Sequence, residues 1–154
     1  MTKIKSFVII FTAAVMTACS GNSAKTKADD LLKQATTEFE NKQYDKALST
    51  IDSLRKIYPN AIETRKKALA LHQSIALKQA QDDLALTDSA IQAVTHDYNY
   101  QKEKVDKDKQ ELRATPGELQ MLTLTKMKLD SLRVRFDVQC AKIKYIHKKQ
   151  KEEL

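Results

Sequence analysis

The stretch DKQELRATPGELQML, residues 108–122, separates two series of apolar residues that repeat every seven positions. The first series is Leu77, Leu84, Ile91, Tyr98, Val105 and Leu112, and the second is Leu122, Leu129, Phe136 and Ile143. A repeat of seven is typical of a coiled-coil seam. Thr115, Pro116 and Glu118 have the residue types preferred at the N-cap, N1 and N3 positions of a new helix. The sequence therefore predicts two long helices, 61–114 and 115–154, that fold back on each other at Thr115.

The bend at Thr115 also predicts which residues of the two helices face each other. The facing pairs would be Leu84 with Ile146, Tyr98 with Leu132, Val94 with Phe136, and Thr87 with Ile143. Burying about ten such side chains, at roughly 1.5–3 kcal/mol each before entropy, is enough to hold an antiparallel coiled-coil hairpin together. Because Gln101 and Asp108 lie on the seam near the bend, we expect that end to be looser.

The glycine and proline content favours one fold class. The 154 residues include only 2 Gly and 2 Pro, whereas sheets need turn residues about every 8–12 positions and phosphate-binding loops need several glycines. We therefore expect an all-α fold. Catalytic motifs are absent, and the three histidines lack the spacing of metal ligands; they are His72, His96 and His147. The sequence thus predicts no enzyme, no metal and no cofactor.

Two shorter helical segments precede the long ones. Residues 41–43 interrupt the apolar period, and Pro59 ends the second segment because proline cannot continue a helix. Asn60 and Glu63 have the spacing of an N-cap and its reciprocal partner, so the next helix should restart at once. We expect two antiparallel helices within residues 28–60.

This 28–60 segment resembles one tetratricopeptide repeat, a helix-turn-helix unit of about 34 residues. With Pro59 set at the repeat's near-terminal proline, the resemblance assigns packing positions to Leu31, Ala35, Phe39, Tyr44, Ala47, Ile51, Leu54 and Pro59. Lys42 stands where the repeat usually has glycine. The resemblance implies a peptide or protein partner on the concave side of the hairpin. Since one repeat cannot bury both faces, we expect residues 61–76 to pack on it and form a three-helix head.

The N-terminal residues have the pattern of an export signal. Lys3 and Lys5 precede an apolar run over 7–16, which is too short to span a bilayer. The run ends in Met16-Thr17-Ala18-Cys19, which resembles the lipobox of bacterial lipoproteins. The resemblance implies a signal peptide over 1–18, a diacylglycerol on Cys19 and a polar tether over 19–27. Ser20 and the absence of an acidic run after Cys19 favour an outer-membrane lipoprotein that faces the periplasm.

The last four residues offer a different cellular address. Residues 151–154 read KEEL, which is similar to the retrieval signal of endoplasmic-reticulum residents. A lipid on Cys19 would leave Cys140 as the only other cysteine, so we expect no disulfide within the chain. Cys140 is then a small helix residue or, alternatively, a thiol that pairs between chains.

The charge distribution provides an alternative function. The formal net charge is +7, and basic residues accumulate near the C-terminus at Lys142, Lys144, Lys148, Lys149 and Lys151. Such a cluster can bind anionic headgroups or another acidic polymer of the envelope, or can be a solvated helix face. Tyr145 is the only aromatic residue among these lysines, which gives no stacking platform for nucleic acid.

Together these patterns predict a lipid-anchored, non-enzymatic protein of the bacterial envelope. We expect it to act as a protein-binding adaptor or assembly module through its helical surfaces. The alternative is an envelope-polymer or membrane-surface binder that uses the basic C-terminal helix. Because a heptad seam can also pair between chains, a homo-oligomer is a further possibility.

Overall fold

The computed structural model describes residues 20–152 as four helices joined by short turns. They are α1 (Ser20–Glu40), α2 (Tyr44–Ile57), α3 (Ile62–Gln110) and α4 (Pro116–Glu152). No strand occurs in this part of the chain, which confirms the all-α fold class. The predicted signal peptide over 1–18, the predicted lipid site at Cys19 and the final residues 153–154 lie outside the described residues.

The first helix begins earlier than expected. Residues 20–27, which were predicted to be part of a polar tether, form the first two turns of α1. Ala24 is partly buried and Ala28 is fully buried. Alanine has the highest intrinsic helix propensity, and burial of these two methyl groups adds packing energy. Residues 20–27 therefore belong to α1 rather than to a tether.

One compact core joins α1, α2 and the first part of α3. Its fully buried members are Ala35, Ala47, Ile51, Leu54, Ala68 and Ile75, with Leu71 of α3 packed at the edge. The predicted three-helix head therefore forms, with residues 62–76 of α3 covering the α1–α2 pair. The small alanines let the helix backbones approach closely, and the isoleucine and leucine side chains fill the space between them.

The turn between α1 and α2 is a Schellman motif. The Lys42 N–H donates to the Phe39 carbonyl (2.9 Å) and the Gln43 N–H donates to the Glu38 carbonyl (2.8 Å). Lys42 has a φ of 58°, in the left-handed region that glycine adopts at lower cost.

The predicted N-cap of α3 is wrong. Ala61 occupies the N-cap position and no side chain caps the helix. The Ala61 N–H donates to the Tyr58 carbonyl (3.2 Å), and the Ile62 N–H donates to the Asn60 carbonyl (3.0 Å). These two bonds form a tight turn that places Asn60 outside the helix. Glu63 pairs instead with Lys66 at 3.2 Å.

Helix α4 returns along α3 and contacts no other helix of the described chain. The Thr125 hydroxyl donates to Gln101 Oε1 (2.9 Å), and Glu118 forms an ion pair with Lys104. The Glu118–Lys104 ion pair and the ion pair of Arg135 with Asp83 lie about one heptad or more nearer the start of α3 than a bend at Thr115 allows. They place Leu129 opposite Val94, and both side chains are almost fully buried.

The predicted facing pairs are therefore wrong by seven residues. These pairs are Leu84–Ile146, Tyr98–Leu132, Val94–Phe136 and Thr87–Ile143. A heptad series matches its partner equally well at shifts of seven, so the turn decides the register. The chain reverses at residues 111–112 rather than at Thr115.

A second Schellman motif sets this reversal. The Leu112 N–H donates to the Lys109 carbonyl (3.1 Å) and the Arg113 N–H to the Asp108 carbonyl (2.7 Å). Leu112 has a φ of 57° and is 95% exposed, so it is not the seam residue that the spacing predicted. Helix α3 had already ended at Gln110.

The predicted capping box at the start of α4 is present. The Thr115 N–H donates to Glu118 Oε2 (2.9 Å), and the Glu118 N–H donates to Thr115 Oγ1 (3.3 Å). The Lys104 ammonium, as the largest cause, and the bonds that the Thr115 N–H and hydroxyl donate to the carboxylate lower the pKa of Glu118 to about 2. One carboxylate thus caps α4 and joins it to α3.

Candidate interaction surfaces

The residues predicted from the repeat resemblance lie mainly in the core of the head. Ala35, Ala47, Ile51 and Leu54 are fully buried. Leu31, Phe39 and Tyr44 pack against them as partly buried side chains. Pro59 is exposed in the α2–α3 turn and does not pack. These residues therefore build the head, and the apolar side of the α1–α2 pair is filled by α3.

Polar contacts fix the three helices of the head to one another. The Thr64 hydroxyl of α3 donates to Asp29 of α1 (2.6 Å). At the other end, the Tyr44 hydroxyl donates to Asp82 (3.3 Å), which also pairs with Lys78 at 3.0 Å. Lys78 holds the pKa of Asp82 below its ordinary value, and burial raises the pKa of Tyr44. The α1–α2 pair is thus held to α3 at both ends.

A cleft opens at the end of the head where α1 begins. It has a volume of about 530 Å³ and lies between the first turns of α1 and the α2–α3 turn. Its walls include Ala24, Tyr58 and Pro59, and two isoleucines stand at its edge. Ile57 is 61% exposed and Ile62 is 55% exposed. This end of the head therefore presents apolar side chains around a concave surface.

The depression beside the cleft is basic. Lys25 and Glu63 line the cleft itself, and Ile62 also lines a neighbouring depression of about 220 Å³ with Arg55, Arg65 and Lys66. Arg65 Nη1 donates to the Pro59 carbonyl (2.7 Å), which ties the α2–α3 turn to α3. The surface suits a partner that inserts an apolar side chain and carries acidic residues beside it.

The predicted anion-binding lysines divide between two faces of α4. Lys144, Lys148 and Lys151 line a shallow depression of about 430 Å³ together with His147 and Glu152. Lys142 and Lys149 lie on another face, where Lys149 pairs with Glu152 at 2.7 Å and stands 5.9 Å from the Tyr145 ring centre. The structure therefore brings three of the five lysines together.

Residues 20–152 hold no cluster of three or more acidic, histidine or cysteine side chains that could bind a metal ion. His72, His96 and His147 lie along α3 and α4 without such a group. Cys140 is a free, partly buried thiol on α4.

One apolar surface of α4 was not predicted from the sequence. Large apolar side chains are exposed on the side of α4 that faces away from α3, including Met127, Val134 and Tyr145. Their spacing of three, four and seven residues was visible in the sequence. The inner series that begins at Leu122 is more strongly apolar and masks this second series on the same helix.

Comparisons with protein families, curated proteins and solved structures found no match for this chain. None of the helices in residues 20–152 combines the length and the apolar content that a membrane span requires. The function is therefore argued from the residues and surfaces themselves.

Proposed function

We propose that this chain is a lipid-anchored protein of the bacterial envelope that binds a protein partner without catalysing a reaction. The head is the binding module and Cys19 carries the lipid. The proposal places the protein on the periplasmic side of the outer membrane. The observation that carries it is the apolar cleft at the end of the head where α1 begins.

The position of α1 connects the cleft to the anchor. Helix α1 begins at Ser20, and Ala24 in the cleft wall lies four residues later. Four residues of helix rise about 6 Å. A lipid on Cys19 would therefore hold the cleft close to the membrane surface, where it could reach a partner's segment next to the bilayer.

The tetratricopeptide resemblance supports a protein as the partner. The α1–α2 pair has small residues at the close helix contacts, and Ala35 and Ala47 are fully buried there. Helix α3 fills the side on which further repeats would stack. We therefore place the partner at the cleft rather than on the concave side of a repeat array.

A site-specific crosslink tests the binding surface. A photoreactive residue at Ile62, in a bacterial host with a lipoprotein pathway, should give a discrete protein adduct. Ile57→Ser should weaken the adduct about tenfold, since burying one isoleucine contributes roughly 1.5–3 kcal/mol. Leu86→Ser is the matched control, because Leu86 is 71% exposed on α3, away from the cleft. An equal loss with both variants, or no adduct, would contradict the proposal.

Lipid labelling tests the anchor separately. Cells fed radioactive palmitate should label the full chain, and Cys19→Ala should abolish both the label and membrane attachment. Stable anchoring needs more than one acyl chain, which a processed lipoprotein supplies. Retention of the Cys19→Ala chain in bacterial membranes would contradict the lipid anchor. Retention of the chain in the endoplasmic reticulum of a eukaryotic host, without lipid, would favour the alternative location.

The lysine face supports a second candidate, an acidic polymer of the envelope as the ligand. Retention of the full chain in detergent on a phosphate-bearing matrix should fall steeply with salt. Replacing Lys144 and Lys148 with Gln should reduce the retention more than replacing Lys142 and Lys149, which removes the same number of charges. Equal effects of the two sets would show that only net charge matters.

A further inference from the structure

The side of α4 that points away from α3 carries a second heptad series, which we call the outer seam. Its residues are Leu124, Met127, Ser131, Val134, Val138, Ala141 and Tyr145. The five large ones are 51% to 63% exposed. The outer seam extends over three heptads, or about 32 Å of helix. A surface helix normally carries polar side chains on this side.

The corresponding side of α3 shows the difference. Its equivalent positions are Gln79, Asp82, Leu86, Ser89, Ala93, His96, Tyr100 and Glu103. Only Leu86 and Tyr100 are large and apolar there, two heptads apart. The apolar face of α4 is therefore specific to α4, and a continuous exposed apolar stripe marks an interaction site.

We propose that the outer seam pairs with the same seam of a second copy of this chain, in a parallel and in-register orientation. The result is a homodimer in which each α4 packs on its own α3 and on the α4 of the second copy. Apolar side chains at alternating three- and four-residue spacing are the pattern that such a seam requires, and six of the seven outer-seam positions follow it, with Ser131 as the exception.

The charges beside the outer seam select a second copy and its direction. One flank carries four basic residues, of which Arg135 also pairs with Asp83 of its own α3 and Lys149 with Glu152: Lys128, Arg135, Lys142 and Lys149. The other flank carries Asp130, Asp137 and Lys144. A parallel pair places opposite flanks together, so Asp130 meets Arg135 of the second copy and Asp137 meets Lys142 of the second copy. Lys144 and Lys149 make the one like-charged pair.

An antiparallel pair would place each flank against itself. The four basic residues would then face four basic residues, and Asp130 would face Asp137. Like charges in register oppose association. The parallel direction also keeps the Ser20 ends of both chains at one level, so both lipids could enter the same membrane. That last step rests on the proposed anchor, whereas the charge argument does not.

Single-cysteine crosslinking tests the pairing and its direction. Met127→Cys and Ala141→Cys are each introduced into the full chain with Cys140→Ser, and mild oxidation is applied in detergent. In a parallel dimer each variant forms a disulfide with itself, so both should give covalent dimers. The parent with Cys140→Ser, which keeps Cys19, controls for crosslinks through Cys19. Crosslinking only in a mixture of the two variants would show antiparallel pairing and overturn the proposal.

Charge exchange tests the flanks. Asp137→Lys should weaken dimerisation at least about tenfold in sedimentation of the full chain, because it places like charges beside the seam. Asp137→Lys combined with Lys142→Asp should restore it. Val134→Lys should abolish the dimer, and Leu86→Lys on α3 should leave it unchanged. A monomer at all concentrations, or a chain crosslinked through residue 127 only to another protein, would overturn the proposal.

The same measurements on Cys19→Ala separate this proposal from the proposed function. A dimer that persists without lipid supports the outer seam whatever the anchor test shows. Loss of the dimer together with the lipid would attribute association to the membrane anchor and would contradict pairing through α4.

Discussion

The two ends of helix α3 are stabilised in different ways. In the head, Ala68 and Ile75 are fully buried in a core that three helices share. In the arm, formed by residues 77–110 of α3 and by α4, the seam is a single row in which Thr87 is as buried as Leu129. A core with neighbours on several sides loses more when one side chain is removed. The comparison therefore predicts a cooperative head and an arm that can open locally.

Ile51→Ala should have the largest effect. Ile51 is fully buried at the centre of the head, and truncation of such a residue costs about 2–5 kcal/mol. Urea unfolding followed by circular dichroism should show this loss. Ile57→Ala is the control, because Ile57 is 61% exposed and its truncation should cost well under 1 kcal/mol. Similar losses for the two variants would contradict the observed core.

Val94→Ala should have a smaller and more local effect. Val94 is 6% exposed on the arm seam, and removing two methyl groups costs about 1.5–2 kcal/mol. Hydrogen exchange should accelerate for amides around residues 90–100 and 125–135, with little change in α1 and α2. Faster exchange throughout the head would show that head and arm unfold as one unit and would remove the distinction.

Glycine at the two left-handed turn positions should stabilise the protein. Lys42 follows the last turn of α1 in the head, and Leu112 follows the last turn of α3 in the arm. Both have a φ near 58°. Lys42→Gly and Leu112→Gly should each add about 0.5–1 kcal/mol, because the left-handed conformation costs a side-chain-bearing residue about 1–2 kcal/mol and glycine loses some chain entropy.

The thermal midpoint should rise for Lys42→Gly, and hydrogen exchange near the arm tip should slow for Leu112→Gly. Lys46→Gly, within α2, is the control and should destabilise by about 1 kcal/mol. A destabilising effect at residue 42 or 112 would contradict the Schellman geometry.

Glu118 should make the arm tip sensitive to acid. This is the smallest of the expected effects. Its pKa is lowered to about 2 in the folded chain, so its contribution is present above the unfolded pKa near 4.3 and is lost as pH falls towards 2. Hydrogen exchange around residues 100–120 should accelerate over that range. Glu118→Gln should flatten the dependence, and Glu103→Gln should not. An unchanged pH dependence of hydrogen exchange in Glu118→Gln would contradict this explanation.

The sequence could predict the helices, the head and the capping box because each depends on local residue types. The three breaks fall at the polar 41–43 segment, at Pro59 and before Pro116, and the buried residues follow the helical period. The arm register could not be predicted in the same way. It depends on Leu112 adopting a left-handed conformation, for which leucine gives no signal, and heptads seven residues apart look alike.

The outer seam and the cleft also differ in how far the sequence could predict them. The outer seam of α4 could have been found from spacing alone, because Leu124, Val138 and Tyr145 lie at multiples of seven. The cleft could not, since it depends on how the α2–α3 turn sits beside the first turns of α1. The division of the lysines between two faces follows from the helix period once α4 is known to be continuous.

Spin-label distances across the arm test the central claim that the chain reverses at residues 111–112. Labels at Asp97 and Lys126, and at Asp97 and Arg133, are measured in the chain with Cys19→Ser and Cys140→Ser, diluted with unlabelled protein. The two α4 positions lie seven residues apart, about 10 Å along the helix. Reversal at residues 111–112 predicts the shorter distance between the labels at Asp97 and Lys126. A shorter distance for 97 with 133 would support reversal at Thr115 and contradict the register described above.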